Sequence, residues 1–174
     1  MARLHRLVSA GLLTARQVVV LGETLGRFWA ALPRTPKVLN HGDLGKVNVL
    51  WNDGNVVSLV DFEFAVIGPV EIDLNEILKF AFAPPGSGDS VPDPVHGRRL
   101  AQEAATRIAR PVLAGSGGID VLLGYSIMLE SWDLENELAT AGYVGDPADL
   151  RPYQLLTGLA EGNGGHLAPL LATL

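Results

Sequence analysis

The sequence predicts an α+β domain, mainly α, built around one central β-hairpin. Three observations carry this. Residues 41–63, HGDLGKVNVLWNDGNVVSLVDFE, place two runs of β-formers, Val47–Trp51 and Val56–Asp61, on either side of Asn52-Asp53-Gly54-Asn55. A central Asp-Gly between apolar runs is a two-residue hairpin signal. Apolar residues recur elsewhere at helical spacing, and Gly- and Pro-rich clusters separate those stretches. With 174 residues, 48% of them hydrophobic, the chain reads as a single domain, 1–174, large enough to bury a core.

In chain order, Leu4, Leu7 and Val8 place a helix over residues 2–8, and Ser9–Leu13 is a connector. Thr14 is positioned to cap a helix from Ala15 to about Leu32, with Val18, Val19, Leu21, Leu25, Phe28, Trp29 and Leu32 suited to packing. Pro33 and Pro36 end it, and Lys37–Asn40 is extended. After the hairpin, Phe62–Val70 reads as irregular and closes at Gly68-Pro69. Asp73 opens a helix to about Phe82, as an N-cap. Ala83–Gly97, APPGSGDSVPDPVHG, is a loop. Its Gly-Ser-Gly lacks the pattern of a phosphate-binding loop. Arg98–Leu113 is a helix whose four arginines form a solvated face, and Gly115–Gly118 breaks the chain. Ile119–Ala141 is a long helix, apolar on most sides and therefore buried. Gly142–Pro147 is a turn, Asp149 can cap a helix to about Leu159, and Gly162–Gly165 precedes a short helix, His166–Leu171. His166 reads as a surface or cap residue.

With Asp53-Gly54 at the tip, Asn52 faces Asn55, Trp51 faces Val56 and Asn48 faces Leu59. Asp61 then lies diagonal to Asn48 on one face, within reach of converging side chains. Asp43 arrives at the same open end from the preceding loop. Three hard oxygen donors there suit Mg²⁺. Phosphoryl transfer asks a protein for little more: an acceptor for the hydroxyl proton, and a metal bridging phosphate oxygens. Asp43 is the candidate catalytic base, and Asn48 and Asp61 are the candidate metal ligands. His41 reads as a prop for the loop, Glu63 equally as a ligand for a second metal or a surface carboxylate, and Lys46 as a solvated lysine rather than a phosphate contact.

His41-Gly42-Asp43, then Asn48, then Val60-Asp61-Phe62-Glu63 resemble the catalytic loop and metal-binding segment of the aminoglycoside phosphotransferase/choline kinase-like family, a branch of the protein-kinase-like fold. Gly68-Pro69 and Glu71-Ile72-Asp73-Leu74 continue the likeness. It is firm over residues 38–80, loose over Ala2–Leu32 and weak after Pro84. The resemblance implies a kinase-like C-terminal lobe, with the catalytic loop and metal segment over 41–73 and a helical substrate-side region over 97–174. It also implies dependence on Mg²⁺ and on ATP or another nucleoside triphosphate, and a small-molecule hydroxyl acceptor. In the family, the aspartate matching Asp73 ties its helix to the catalytic loop. The family's N-terminal lobe is a twisted sheet bearing a phosphate-binding lysine. Nothing before Asp43 alternates like such a sheet, and Lys37 stands too close to the loop for that role. The expectation is a C-terminal lobe alone, incomplete by itself, completed by a partner chain or self-associated as a homodimer through an apolar roof.

Pro111–Leu150 holds seven acids and no Lys or Arg. Within it Glu130, Asp133 and Glu137 form a strip at spacings of three and four. It is either a solvated face or a pocket wall for a cationic substrate such as an aminoglycoside or a choline-like amine, so these three are the candidate substrate-binding residues. A net charge of −6 gives a nucleic-acid partner no electrostatic support. No apolar run reaches membrane-spanning length. The absence of cysteine excludes disulfides and thiolate metal sites and fits a cytoplasmic protein. Two other functions remain open: a non-catalytic relative that binds or oligomerises through the old cleft, and a Mg²⁺-dependent hydrolase.

Overall fold

The computed structural model describes residues 1–84, 94–115, 117–140 and 143–174. It is mainly helical, with two small antiparallel sheets. Helix α1 (Ala2–Ser9) leads into α2 (Ala15–Ala31). Thr14 caps α2 through a capping box: its hydroxyl accepts from the Gln17 N–H, and the Gln17 side chain accepts from the Thr14 N–H. Leu21, Leu25 and Phe28 face inward, whereas Val19 and Trp29 are 60% and 58% exposed. The core expectation for those two is corrected: a helix buries a stripe, and 19 and 29 lie off it.

Strand β1 (Lys37–Asn40) follows a 3₁₀ turn over Leu32–Arg34. Strands β2 (Val49–Asn52) and β3 (Asn55–Leu59) form the expected hairpin. Asp53 and Gly54 both have positive φ, 49° and 78°, the backbone of a type I′ turn. Strand β4 (Val66–Pro69) pairs antiparallel with β1, Lys37 opposite Pro69 and Asn40 opposite Val66. That ladder corrects the irregular reading of 62–70; its two strands are 25 residues apart, beyond what local pattern can pair. The β1–β4 ladder closes the base of the loop that carries the hairpin.

Helix α3 (Glu71–Phe82) begins two residues before the expected Asp73. Helix α4 (Pro94–Leu113) begins earlier than Arg98, and residues 85–93 of the expected loop, with its Gly-Ser-Gly, lie outside the described residues. Helix α5 (Gly118–Ala139) packs against α2, α3, α4 and α6 (Arg151–Leu159). A 3₁₀ turn over Gly165–Leu167 leads into the short α7 (Ala168–Leu171). Asp149 does not cap α6; Asp146 caps the turn before it, accepting from the Ala148 N–H at 2.8 Å.

Helix α5 is the hub, which explains its apolar circumference. Ile127 and Leu134 join Leu4, Leu7, Leu21, Leu25 and Leu156 in one cluster. Leu122 joins Leu74, Leu78, Ala105 and Leu170 in a second. Val121 meets Phe28 and Ala31 in a third. At Gly124 a Cβ would sit 2.3 Å from the Phe28 side chain, so α2 and α5 approach too closely for any larger residue. No single described helix is long and apolar enough to cross a membrane.

Candidate functional site

The loop from His41 to Asn48 is held from two sides. From α3, the Asp73 carboxylate accepts the His41 N–H at 2.8 Å on one oxygen and the Gly42 N–H at 2.9 Å on the other. Charge-assisted bonds of this kind are roughly twice as strong as neutral ones. Asp73 is thus a tie to the loop rather than an N-cap. From the far side, His41 Nε2–H donates to the Val60 carbonyl at 2.8 Å, and its ring lies 4.5 Å from that of Phe62. His41 is buried, in keeping with a prop. Gly42 has φ 86°, and a Cβ there would fall 2.1 Å from the Phe64 carbonyl oxygen. Only glycine lets the loop lie against residue 64.

This clamp presents Asp43, which is half-buried. The Asn48 amide nitrogen donates to the Asp43 carbonyl at 2.9 Å and to its Oδ2 at 3.1 Å. With the nitrogen so engaged, Oδ1 is the atom by which Asn48 can meet a cation. Asp43 Oδ1 lies on the Gly45 side, 3.9 Å from where a Cβ on Gly45 would stand.

The hairpin register departs from expectation below the tip. Asn52 faces Asn55 and Trp51 faces Val56, as predicted, but Leu50 faces Ser58 and Val49 faces Leu59. Val57 is therefore an extra residue, a β-bulge that shifts the remaining pairs by one. Asn48 lies opposite Val60 instead, its carbonyl accepting the Val60 N–H at 3.0 Å. The diagonal-neighbour route from Asp61 to Asn48 is corrected accordingly. What brings Asp61 to this end of the hairpin is that it follows directly on Val60. Its backbone is left-handed, φ 66°, turning the chain out of the strand. A non-glycine residue in that region is a local strain of the kind found at functional sites. Asp61 and Glu63 are exposed.

The acidic strip does not form one surface. Glu130 has no exposed side-chain area; Lys79 Nζ stands 2.8 Å from its Oε1 and 3.1 Å from Asp133 Oδ2. Glu137 is exposed at the far end of α5. The expectation of a continuous acidic wall is corrected: the turn of α5 sends Glu130 inward, where α3 supplies its counter-ion. Burial pushes Glu130 up to about 7, against the pull of Lys79. Burial alone would lower Lys79, but Glu130, Asp133 and Glu76 hold it above the ordinary lysine value. Tyr125, beside them, is pushed up to about 12 by burial and then by Glu76, Asp73 and Asp133. His166 is no surface residue. Both ring nitrogens are buried, and burial with Lys79 and Arg151 pushes it down to about 4.

A cleft of about 780 Å³ opens between the hairpin and α3, with Leu44 and Gly45 in its wall and Glu76, Lys79 and Arg151 as its polar groups. Glu76 is raised by burial first, with Lys79 opposing and Asp133 and Asp43 adding to the rise. The sequence reading missed Glu76 and Lys79. Their signal was the spacing of three from Asp73 along α3, one polar stripe on a buried helix.

Comparison with curated proteins and comparison with solved structures each return no match. The family model described as the phosphotransferase enzyme family (APH) matches residues 1–111, more than half of the chain. That span carries the clamped loop, Asn48, the hairpin, Asp61 and α3, and on this match the chain belongs to the phosphotransferase enzyme family.

Proposed function

We propose that the chain is the C-terminal lobe of a kinase-like small-molecule phosphotransferase, moving the γ-phosphoryl group of ATP to a hydroxyl with the help of Mg²⁺. The observation that carries this is the setting of Asp43. Its loop is fixed by Asp73, one carboxylate oxygen is engaged by Asn48, and the other lies on the side of Gly45, which with its neighbour Leu44 lines a cleft.

In this reading Asp43 accepts the proton of the acceptor hydroxyl on Oδ1, a role typically contributing about 10²–10⁴-fold. The Asn48 amide holds Oδ2 and keeps the carboxylate aimed. His41 and Asp73 limit motion of the loop, and positioning is most of what a protein supplies to phosphoryl transfer. The residues present fit a hard cation. The Asn48 nitrogen is spent on Asp43, which leaves its Oδ1 for a cation, and Asp61 adds a carboxylate. Among the described residues no three acidic or histidine side chains gather into a metal site. Mg²⁺ usually rests on one or two carboxylates plus substrate phosphates. When bound, Mg²⁺ would neutralise charge on those phosphates.

Calorimetry with MgATP and a coupled turnover assay over a panel of hydroxyl compounds test the proposal. Asp43→Asn should leave thermal stability unchanged and lower turnover by about 10²-fold or more; full turnover in that variant would overturn the assignment of the base.

A second reading, a self-associating binding module, is favoured by one observation. Leu39, Val57, Phe62, Phe64 and Ile67 are all at least half exposed, on the hairpin, the β1–β4 ladder and the segment between β3 and β4. It predicts concentration-dependent dimers by light scattering and no response to MgATP.

A further inference from the structure

The cleft beside Asp43 has a composition that bears on what the acceptor is. Its volume, about 780 Å³, lies within the range of small-molecule sites, roughly 300–1,000 Å³. The hairpin supplies Val49, Trp51 and Leu59, α3 supplies Ile77 and Phe80, and α4 supplies Ile108. The polar groups sit together on one side: Glu76 and Lys79 on α3, and Arg151 at the start of α6. An apolar body with a few convergent polar groups is the usual form of a ligand pocket.

Charge then discriminates between acceptor classes. None of Glu130, Asp133 and Glu137 lines the cleft. Four of the seven acids between Pro111 and Leu150 are neutralised within the fold: Asp120 by Arg27, Glu130 and Asp133 by Lys79, and Glu135 by Arg3 and Arg6. Among the described lining residues Glu76 is the one carboxylate, beside Arg151 and a Lys79 already paired with Glu130 and Asp133. A polycation entering this cleft would give up the hydration of several charges against one lining carboxylate, Glu76, and the Asp43 carboxylate at the Gly45 end. An apolar skeleton would be repaid by burial.

We propose that this cleft is the acceptor pocket, and that it takes a neutral, largely apolar alcohol with its hydroxyl at the Gly45 end, rather than a polycationic amino sugar. The phosphorylation of that alcohol rests on the transferase reading above; its binding does not.

The test is calorimetry on the full chain without nucleotide, with 1-naphthalenemethanol as the apolar alcohol and kanamycin as the polycation. The alcohol should bind saturably, one per chain, and kanamycin should bind more weakly or not at all. Two variants check the location, with circular dichroism to confirm folding. Ile108 is 47% exposed, so Ile108→Asp puts a charge into the apolar wall without opening the core. Gly45 has φ −82°, and its nearest neighbours to a Cβ are 3.9 and 4.0 Å away, so Gly45→Leu fills the end beside Asp43 without backbone strain. Each should weaken the alcohol about tenfold or more, a loss of about 1.4 kcal/mol. Kanamycin binding tighter than the alcohol, no binding of the alcohol, or alcohol binding untouched by both variants would each overturn the proposal. A chain that binds the alcohol in the cleft but never turns over MgATP would instead fail the transferase reading alone.

Discussion

Replacing Lys79 by methionine keeps the length of the side chain and removes the one charge that answers Glu130. The Glu130 side chain has no exposed area, and that of Lys79 is 15% exposed. Their contact is 2.8 Å, and neither Glu130 oxygen is satisfied by any other hydrogen-bond donor among the described residues. Stranding one partner of a buried pair typically costs about 3–5 kcal/mol, a large part of the stability of an ordinary domain. The pH dependence gives the loss a signature. Burial already lifts the Glu130 carboxyl from 4.5 to about 7. A carboxyl raised on folding holds its proton longer in the folded state, so its contribution is most favourable below 4.5 and is lost as pH rises through 7. Lys79→Met removes the pull that keeps the value from rising further, which extends the falling limb to higher pH. The deficit against the native chain should therefore be larger at about pH 8 than at about pH 5. Urea unfolding followed by circular dichroism at both pH values measures it. Lys79→Met combined with Glu130→Leu should recover part of the loss, because Glu130 is then no longer stranded while Asp133 still lacks Lys79. A deficit under about 1 kcal/mol, or one equal at the two pH values, would refute the buried-pair account.

Other perturbations follow from the same geometry. Gly42→Ala places a methyl 2.1 Å from the Phe64 carbonyl oxygen at φ 86°; beyond the roughly 1–2 kcal/mol of left-handed strain, the loop must move, so turnover should fall further than stability does. Asp73→Asn leaves one acceptor for two backbone donors; it should cost about 1–3 kcal/mol and speed hydrogen exchange at the His41 and Gly42 amides, measured by NMR. His166, lowered from 6.5 to about 4, lends stability that is lost as pH falls through that window. His166→Gln, which cannot titrate, should show a flatter acid limb than the native chain in thermal melts between those pH values.

Local chemistry made much of this chain legible in one dimension. The Asp53-Gly54 turn, the Thr14 cap and the Pro33 stop each depend on residues a few positions apart, so composition alone reveals them. The order His41-Gly42-Asp43, Asn48, Asp61, Asp73 was likewise visible, and with it the membership that the family match over residues 1–111 shows. Other features were hidden because their causes are not local. The Val57 bulge moved Asn48 from Leu59 to Val60, and a one-residue slip reverses which face a strand presents. The β1–β4 ladder joins segments that say nothing of each other in sequence.

The acidic strip marks the division most clearly. Spacing alone determined that Glu130, Asp133 and Glu137 share one side of a helix. Whether that side meets water, a ligand or another helix depended on where α3 packs, and α3 brought Lys79 beneath two of the three. Periodicity sets direction about a helix axis, whereas the neighbour in that direction is set by the packing of distant segments, which only the folded chain decides.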